Sequence, residues 1–290
     1  MRAPTLRPVP AEQIARNLAY INWTVLVGLA IGAFVAVVVA RLRTEAPRGY
    51  LTFTSLCAAA FAGLAWLSDT ALPASGPEAH VGADPILDTA RRVGLAVLAI
   101  AALAWAVAVR RGHAFRIGIL GSLAAACTLV AAAVGWGGGI VNGVPLLVQL
   151  LALSAATGGV FAAMVLGHWY LVTPKLGEAP LVLLARLLLG IVGLQLALFV
   201  AWLATGAGAG GGVATGTAPF GALGGPWALF VWLRLIVGLI FPLIVSWAAL
   251  QTARTRSMES ATGLLYINVG AIAAGTILAA GLYFGAGLLT

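Results

Sequence analysis

Residues 227–251 read WALFVWLRLIVGLIFPLIVSWAALQ, and Arg234 is the only charged side chain among them. A helix rises about 1.5 Å per residue, so a run of this length covers the roughly 30 Å hydrocarbon core of a bilayer. Backbone amides find no partner in lipid, so a segment this apolar must bond within itself as a helix. It does not alternate apolar with polar residues, as a barrel strand would.

Seven further runs of the same kind flank it, at 18–40, 50–72, 93–109, 115–136, 146–171, 181–205 and 261–288. The predicted fold is all-α, a polytopic transmembrane bundle of about eight spanning helices. Residues 1–290 then form one transmembrane helical domain, with a polar N-terminal tail at 1–17 and a glycine-rich loop at 206–225. Of the 290 residues, 62% are hydrophobic and 8% are charged; the mean hydropathy is +1.06. A soluble domain carries about 25% charged residues and could not cover so much apolar surface. The first run follows a polar start rather than a short basic one and is long enough to span, so it reads as retained, not as a cleaved signal.

The connections carry the net charge of +8. Arg41, Arg43 and Arg48 follow the first run, and Arg110, Arg111 and Arg116 lie between the third and fourth. Lys175 follows the fifth, and Arg254 and Arg256 follow the seventh. These are alternate loops. The positive-inside rule places them in the cytoplasm, so both termini are expected outside a bacterial inner membrane. Glu78, Asp84 and Asp88 fall on the opposite side, while Arg91, Arg92, Arg2, Arg7 and Arg16 run against the rule. No basic patch is interleaved with exposed aromatics, so nucleic acid is not an expected partner. The bilayer is, together with other membrane or redox proteins.

Charge inside a membrane demands an explanation. Arg234 lies eight residues past Pro226, about 12 Å along its helix. It either snorkels to the outer headgroups or faces the interior, where Gln195 at similar depth and Asp69 as counter-ion are its candidate partners. Arg186 sits six residues past Pro180, about 9 Å in from the other side. His168 and Tyr170 stand in GHWYLVTPKL at the cytoplasmic end of the fifth run. Arg254, Arg256, Glu259, Thr262 and Asn268 cluster in and after QTARTRSMESATGLLYINVG. Their matched depth predicts a pocket on the cytoplasmic half formed by His168, Tyr170, Arg186, Arg254, Arg256, Glu259 and Asn268. Ser257 or Ser260 is expected to cap the last helix, with Glu259 in its first turn.

Other features read structurally. Cys57 and Cys127 lie in apolar runs and are expected as small buried side chains. Ala155, Gly158 and Gly159 suit close helix packing. Pro242 should kink the seventh helix. His80 and His113 fall in loops, so the histidines supply neither a bis-histidine haem nor a metal site. Phosphate-loop, HExxH, CxxCH and GxSxG signatures are absent.

The phrases GHWYLVTPKL (167–176) and TRSMESATGLLYI (255–267) resemble segments of a bacterial polytopic membrane-protein family without an assigned activity. The resemblance covers mainly the second half of the chain and implies no catalytic residues. The helix count is also similar to that of the eight-helix quinone-interacting anchors of molybdopterin oxidoreductases, an analogy of architecture. Three functions are therefore expected in order. The first is a non-catalytic membrane component of a redox or transport assembly. The second is a quinone-interacting electron-transfer anchor using His168 and Arg186. The third is a secondary transporter or channel whose path is lined by Arg234 and Gln195.

Overall fold

The structure, a computed structural model, describes residues 9–73, 81–111, 114–173, 175–206 and 219–290. Glu78, His80 and His113, and most of the glycine-rich loop, lie outside the described residues. Eight helices are long and apolar enough to cross a membrane: Leu18–Arg43, Arg48–Thr70, Pro85–Arg111, Ala114–Trp136, Ile140–Val172, Ala179–Thr205, Ala228–Arg254 and Met258–Ala286. They are called the first to eighth spans below. The protein is an integral, multi-pass membrane protein with an all-α fold.

Much of its outer surface is apolar. Ile100, Leu103, Leu123, Leu194, Ile244 and Trp247 are all exposed. Soluble proteins rarely leave so much contiguous apolar surface uncovered, whereas lipid solvates it. Cys127, expected to be buried, belongs to this exposed belt, and Cys57 is half-buried; both are free thiols. The expectation of burial failed because a span is apolar on both its core face and its lipid face, so hydropathy carries no sidedness.

The first four spans pack in sequence, third on fourth, second on third and first on second; spans five to eight form the other half. The two halves meet where the first span crosses the fifth. There the backbones touch: a Cβ on Gly32 would fall 1.9 Å from the carbonyl oxygen of Ser154, and one on Gly158 2.2 Å from the amide nitrogen of Ala33. Gly158 is thus required by packing, while a Cβ on its neighbour Gly159 would meet nothing. The fifth span is central, with 72% of its most apolar window buried against 28% for the sixth.

Three boundaries differ from the sequence reading for local reasons. The third span begins at Pro85 rather than 93, because Asp84 caps it. Its Oδ1 accepts the amides of Ile86 at 2.9 Å and Leu87 at 3.1 Å, and Pro85 suits the first helical position. The fifth span begins at Ile140, before Pro145. The carbonyl that Pro145 leaves without a donor is that of Val141, which is exposed at the helix end, where water or headgroups satisfy it. The polar tail contains a short helix, Pro10–Arg16, whose Ile14 packs beside Gly281 of the eighth span.

Pro242 acts through a π-turn, Ile236–Ile240, immediately before it. Proline has no N–H for the carbonyl four residues back, which belongs to Gly238, and its ring crowds that oxygen. Ser257 stands at the N-cap of the eighth span, yet its hydroxyl bonds Ser260 at 3.1 Å rather than a backbone amide.

Candidate functional site: a buried arginine in the second half

The carbonyl freed by Pro242 is taken up by Arg234, whose Nη1 donates to Gly238 O at 3.1 Å. The guanidinium therefore folds back onto its own helix instead of snorkelling outward. Its side chain is 1% exposed. Nη2 donates to Gln195 Oε1 at 2.7 Å and to the main-chain oxygen of Thr290 at 3.4 Å. Gln195 is oriented by its amide, which donates to Ala152 O at 2.9 Å. Space for the guanidinium exists because Gly238 and Gly275 meet backbone to backbone. A Cβ on Gly275 would lie 2.9 Å from Arg234 Nη1.

Arg234 and Gln195 are thus in contact. Asp69 is not the counter-ion, and among the described residues no acidic side chain forms an ion pair with Arg234. Two polar atoms at the site have no partner: Arg234 Nε and Thr290 Oγ1. Buried polar atoms are almost always satisfied by protein or by ordered water, so these two are bonding positions open to water or a solute. Residues 288–290 leave the helix after Gly287, which takes a left-handed conformation (φ 69°). They turn inward so that the Thr290 amide donates to Gln149 Oε1 at 3.1 Å.

Other buried polar side chains of this half lie along the eighth span, at its interfaces with the fifth and seventh spans. Thr276 shares a hydrogen bond with Thr157 at 2.8 Å. Asn268 donates to Ser246 at 2.8 Å, and its Oδ1 is unpartnered. Thr262 is buried nearer the other end of the eighth span. Thr262 to Thr276 is about 21 Å along a helix, most of the hydrocarbon thickness. Arg234 and Gln195 join this file close to Thr276, through Gly275.

Asp69 instead anchors the first half. It is fully buried and accepts from Trp23 Nε1 at 2.9 Å, Arg91 Nε at 2.6 Å and Arg92 Nε at 2.8 Å. Arg91 also reaches Asp88 at 2.7 Å and lies over the Trp136 ring, 4.8 Å from its centroid. Two carboxylates and two guanidinium groups close a neutral cluster that ties the first, second, third and fourth spans. The Asp84–Pro85 helix start was the sequence signal for it, since it places Arg91 and Arg92 inside the third span.

The residues expected to form a cytoplasmic-half pocket are mostly apart. His168, Arg186, Arg254, Arg256 and Glu259 are exposed. His168 Nδ1 and the Tyr266 hydroxyl are 3.3 Å apart. Arg256 approaches Glu178 at 3.8 Å. Tyr170 is buried but donates to Gly177 O, closing its own loop. Asn268 belongs to the buried file instead. Matched depth brought these residues to one end of the bundle, but depth says nothing about the direction in which each side chain leaves its helix.

No family model, curated protein or solved structure matches this chain, so the site is read from its geometry alone.

Proposed function

We propose that this integral membrane protein is a carrier for a small anion, with Arg234 as the coordinating charge and Gln195 as the residue that aims it. The observation that carries this reading is a guanidinium buried inside the bundle with no acidic side chain paired to it among the described residues. Charge inside a membrane bundle is costly and is found where ions or substrates bind. Arginine is also the side chain suited to carboxylate and phosphate oxyanions. The main-chain oxygen of Thr290 is the longest of its three contacts, beyond the usual N–H···O range. It is the contact a solute would replace. The file of Thr276, Thr157, Asn268, Ser246 and Thr262 offers hydroxyl and amide groups along the route to the other face.

Binding only to the folded protein raises its stability by about 2.7 kcal/mol at a hundredfold excess over Kd. Melting the detergent-purified protein in sodium chloride, acetate, lactate, phosphate and sulfate at constant ionic strength tests this. At least one anion should raise the midpoint saturably in the wild type and fail to do so in Arg234→Gln. A midpoint that responds equally in both proteins, or to no anion of the series, contradicts the proposal.

The same reading includes an inner-membrane location with the arginine-bearing loops in the cytoplasm. Arg91 and Arg92, which run against that orientation in the sequence, are held in ion pairs with Asp69 and Asp88. Single cysteines at Lys175→Cys and Ala83→Cys, with Cys57 and Cys127 replaced by serine, should react from opposite sides. An impermeant maleimide added to intact cells should modify position 83 alone. Modification of position 175 instead would invert the topology.

A further inference from the structure

Away from the buried arginine, the first, third and fourth spans leave a groove of about 300 Å³ lined by Val38, Arg41, Leu42, Trp105, Ala114 and Phe115 among others. Its position is informative. Arg41 lies two residues before the end of the first span, and Ala114 opens the fourth, so the groove sits at headgroup depth. Its floor is apolar: Trp105 is buried and packs edge-on to Phe34, with 6.1 Å between ring centroids. Gly118 lets the fourth span close on the back of this floor, since a Cβ there would come within 3.1 Å of the Trp105 ring nitrogen and 3.3 Å of Val38.

Arg41 lines the mouth, and Arg43 and Arg116 adjoin the lining residues Leu42 and Phe115 in sequence. All three are exposed, and among the described residues none of them has an ion-pair partner. A groove with apolar walls, a cationic mouth and a headgroup-level opening matches an amphiphile whose head is anionic. Basic pockets between spanning helices are where anionic phospholipids are held. The apolar wall distinguishes such a molecule from free phosphate, which would gain nothing from Trp105 or Phe115. Arg41 on the wall, with no ion-pair partner among the described residues, favours an anionic head over a zwitterionic one, whose own ammonium would compete for the phosphate.

We infer that this groove is a binding site for one anionic phospholipid, its phosphate on Arg41 and its upper acyl chain along Val38, Trp105 and Phe115. This inference is independent of the proposed anion carrier, since no residue is shared with the Arg234 site.

Native mass spectrometry of the full chain, titrated with phosphatidylglycerol or phosphatidylethanolamine, tests it. The wild type should bind the first phosphatidylglycerol at least tenfold more tightly than phosphatidylethanolamine. Arg41→Gln should remove about tenfold of that affinity. Ala114→Leu, which fills the groove without touching charge, should reduce binding of the first lipid as well. Arg254→Gln, at the same end of the bundle but on the seventh span, should bind as the wild type does, which separates a site from general basic attraction. Equal affinity for the two lipids would overturn the inference. So would Arg254→Gln weakening binding as much as Arg41→Gln, or displacement of the lipid by millimolar inorganic phosphate. If either groove variant is poorly folded, the wild-type lipid preference and the phosphate competition still decide the matter.

Discussion

Asp69→Asn should be the most damaging single change in the first half of the protein. The carboxylate is fully buried and receives Arg91, Arg92 and Trp23 at once. Asparagine keeps the shape but removes the charge, and leaves the Arg91 guanidinium, itself only 2% exposed, short of a counter-ion. Breaking one side of a buried pair costs about 3 to 5 kcal/mol, because the surviving charge has lost both water and partner. Asp88→Asn provides the comparison. Asp88 is 34% exposed at its side chain, so its pair with Arg91 is screened and its loss should cost about 1 kcal/mol or less. Unfolding of both variants in mixed micelles measures the difference. Equal loss in the two would mean that the cluster is solvated and does not tie the four spans together.

In the second half the informative comparison is between the two partners of one hydrogen bond. Gln195→Leu removes the acceptor that holds Arg234 Nη2 at 2.7 Å and the donor to Ala152 O. The charge remains buried with less to solvate it. Interhelical hydrogen bonds between membrane spans average roughly 0.6 kcal/mol. Bonds to a charged group reach about 1.5 to 3 kcal/mol, and the upper range applies to a guanidinium with an orphaned Nε. Arg234→Leu removes the charge together with its need for partners, which offsets part of the cost of leaving its three acceptors without that donor. Gln195→Leu should therefore destabilise by about 2 kcal/mol or more, and by more than Arg234→Leu. The double variant should resemble Arg234→Leu. Additive losses would show that the two side chains do not act as a pair.

These two clusters show what the sequence made legible. Run lengths of apolar residues gave eight spans, because in lipid a helix is the only way to satisfy the backbone and its length is set by the bilayer. Depth along each span followed from residue counting, which is why Gln195 was matched to Arg234. Lateral arrangement did not follow. A span with no polar face does not announce which side meets its neighbours, so Asp69, a candidate counter-ion of Arg234 by sequence, pairs instead with Arg91 and Arg92 in the packed bundle. The Asp84–Pro85 helix start, which brings both arginines inside the third span, is the signal for that pairing. His168 and Arg186 were read as pocket residues from depth alone and are exposed. The inward turn of residues 288–290 had no sequence signal beyond Gly287. It is held by the hydrogen bonds of Thr290 to Gln149 and Arg234, which only the packed structure shows.

Whether Arg234 serves a moving solute is open to direct test. The direct measurement is uptake into liposomes containing the purified protein and nothing else. The solute is the anion that most stabilises the wild type, supplied as its radiolabelled salt. The wild type should give saturable uptake above protein-free liposomes, and Arg234→Gln, reconstituted to the same density, should reduce it at least tenfold. Uptake no greater than in empty liposomes, or equal uptake by both proteins, would contradict an anion path through Arg234 and leave the guanidinium as a structural clasp between the π-turn, Gln195 and Thr290.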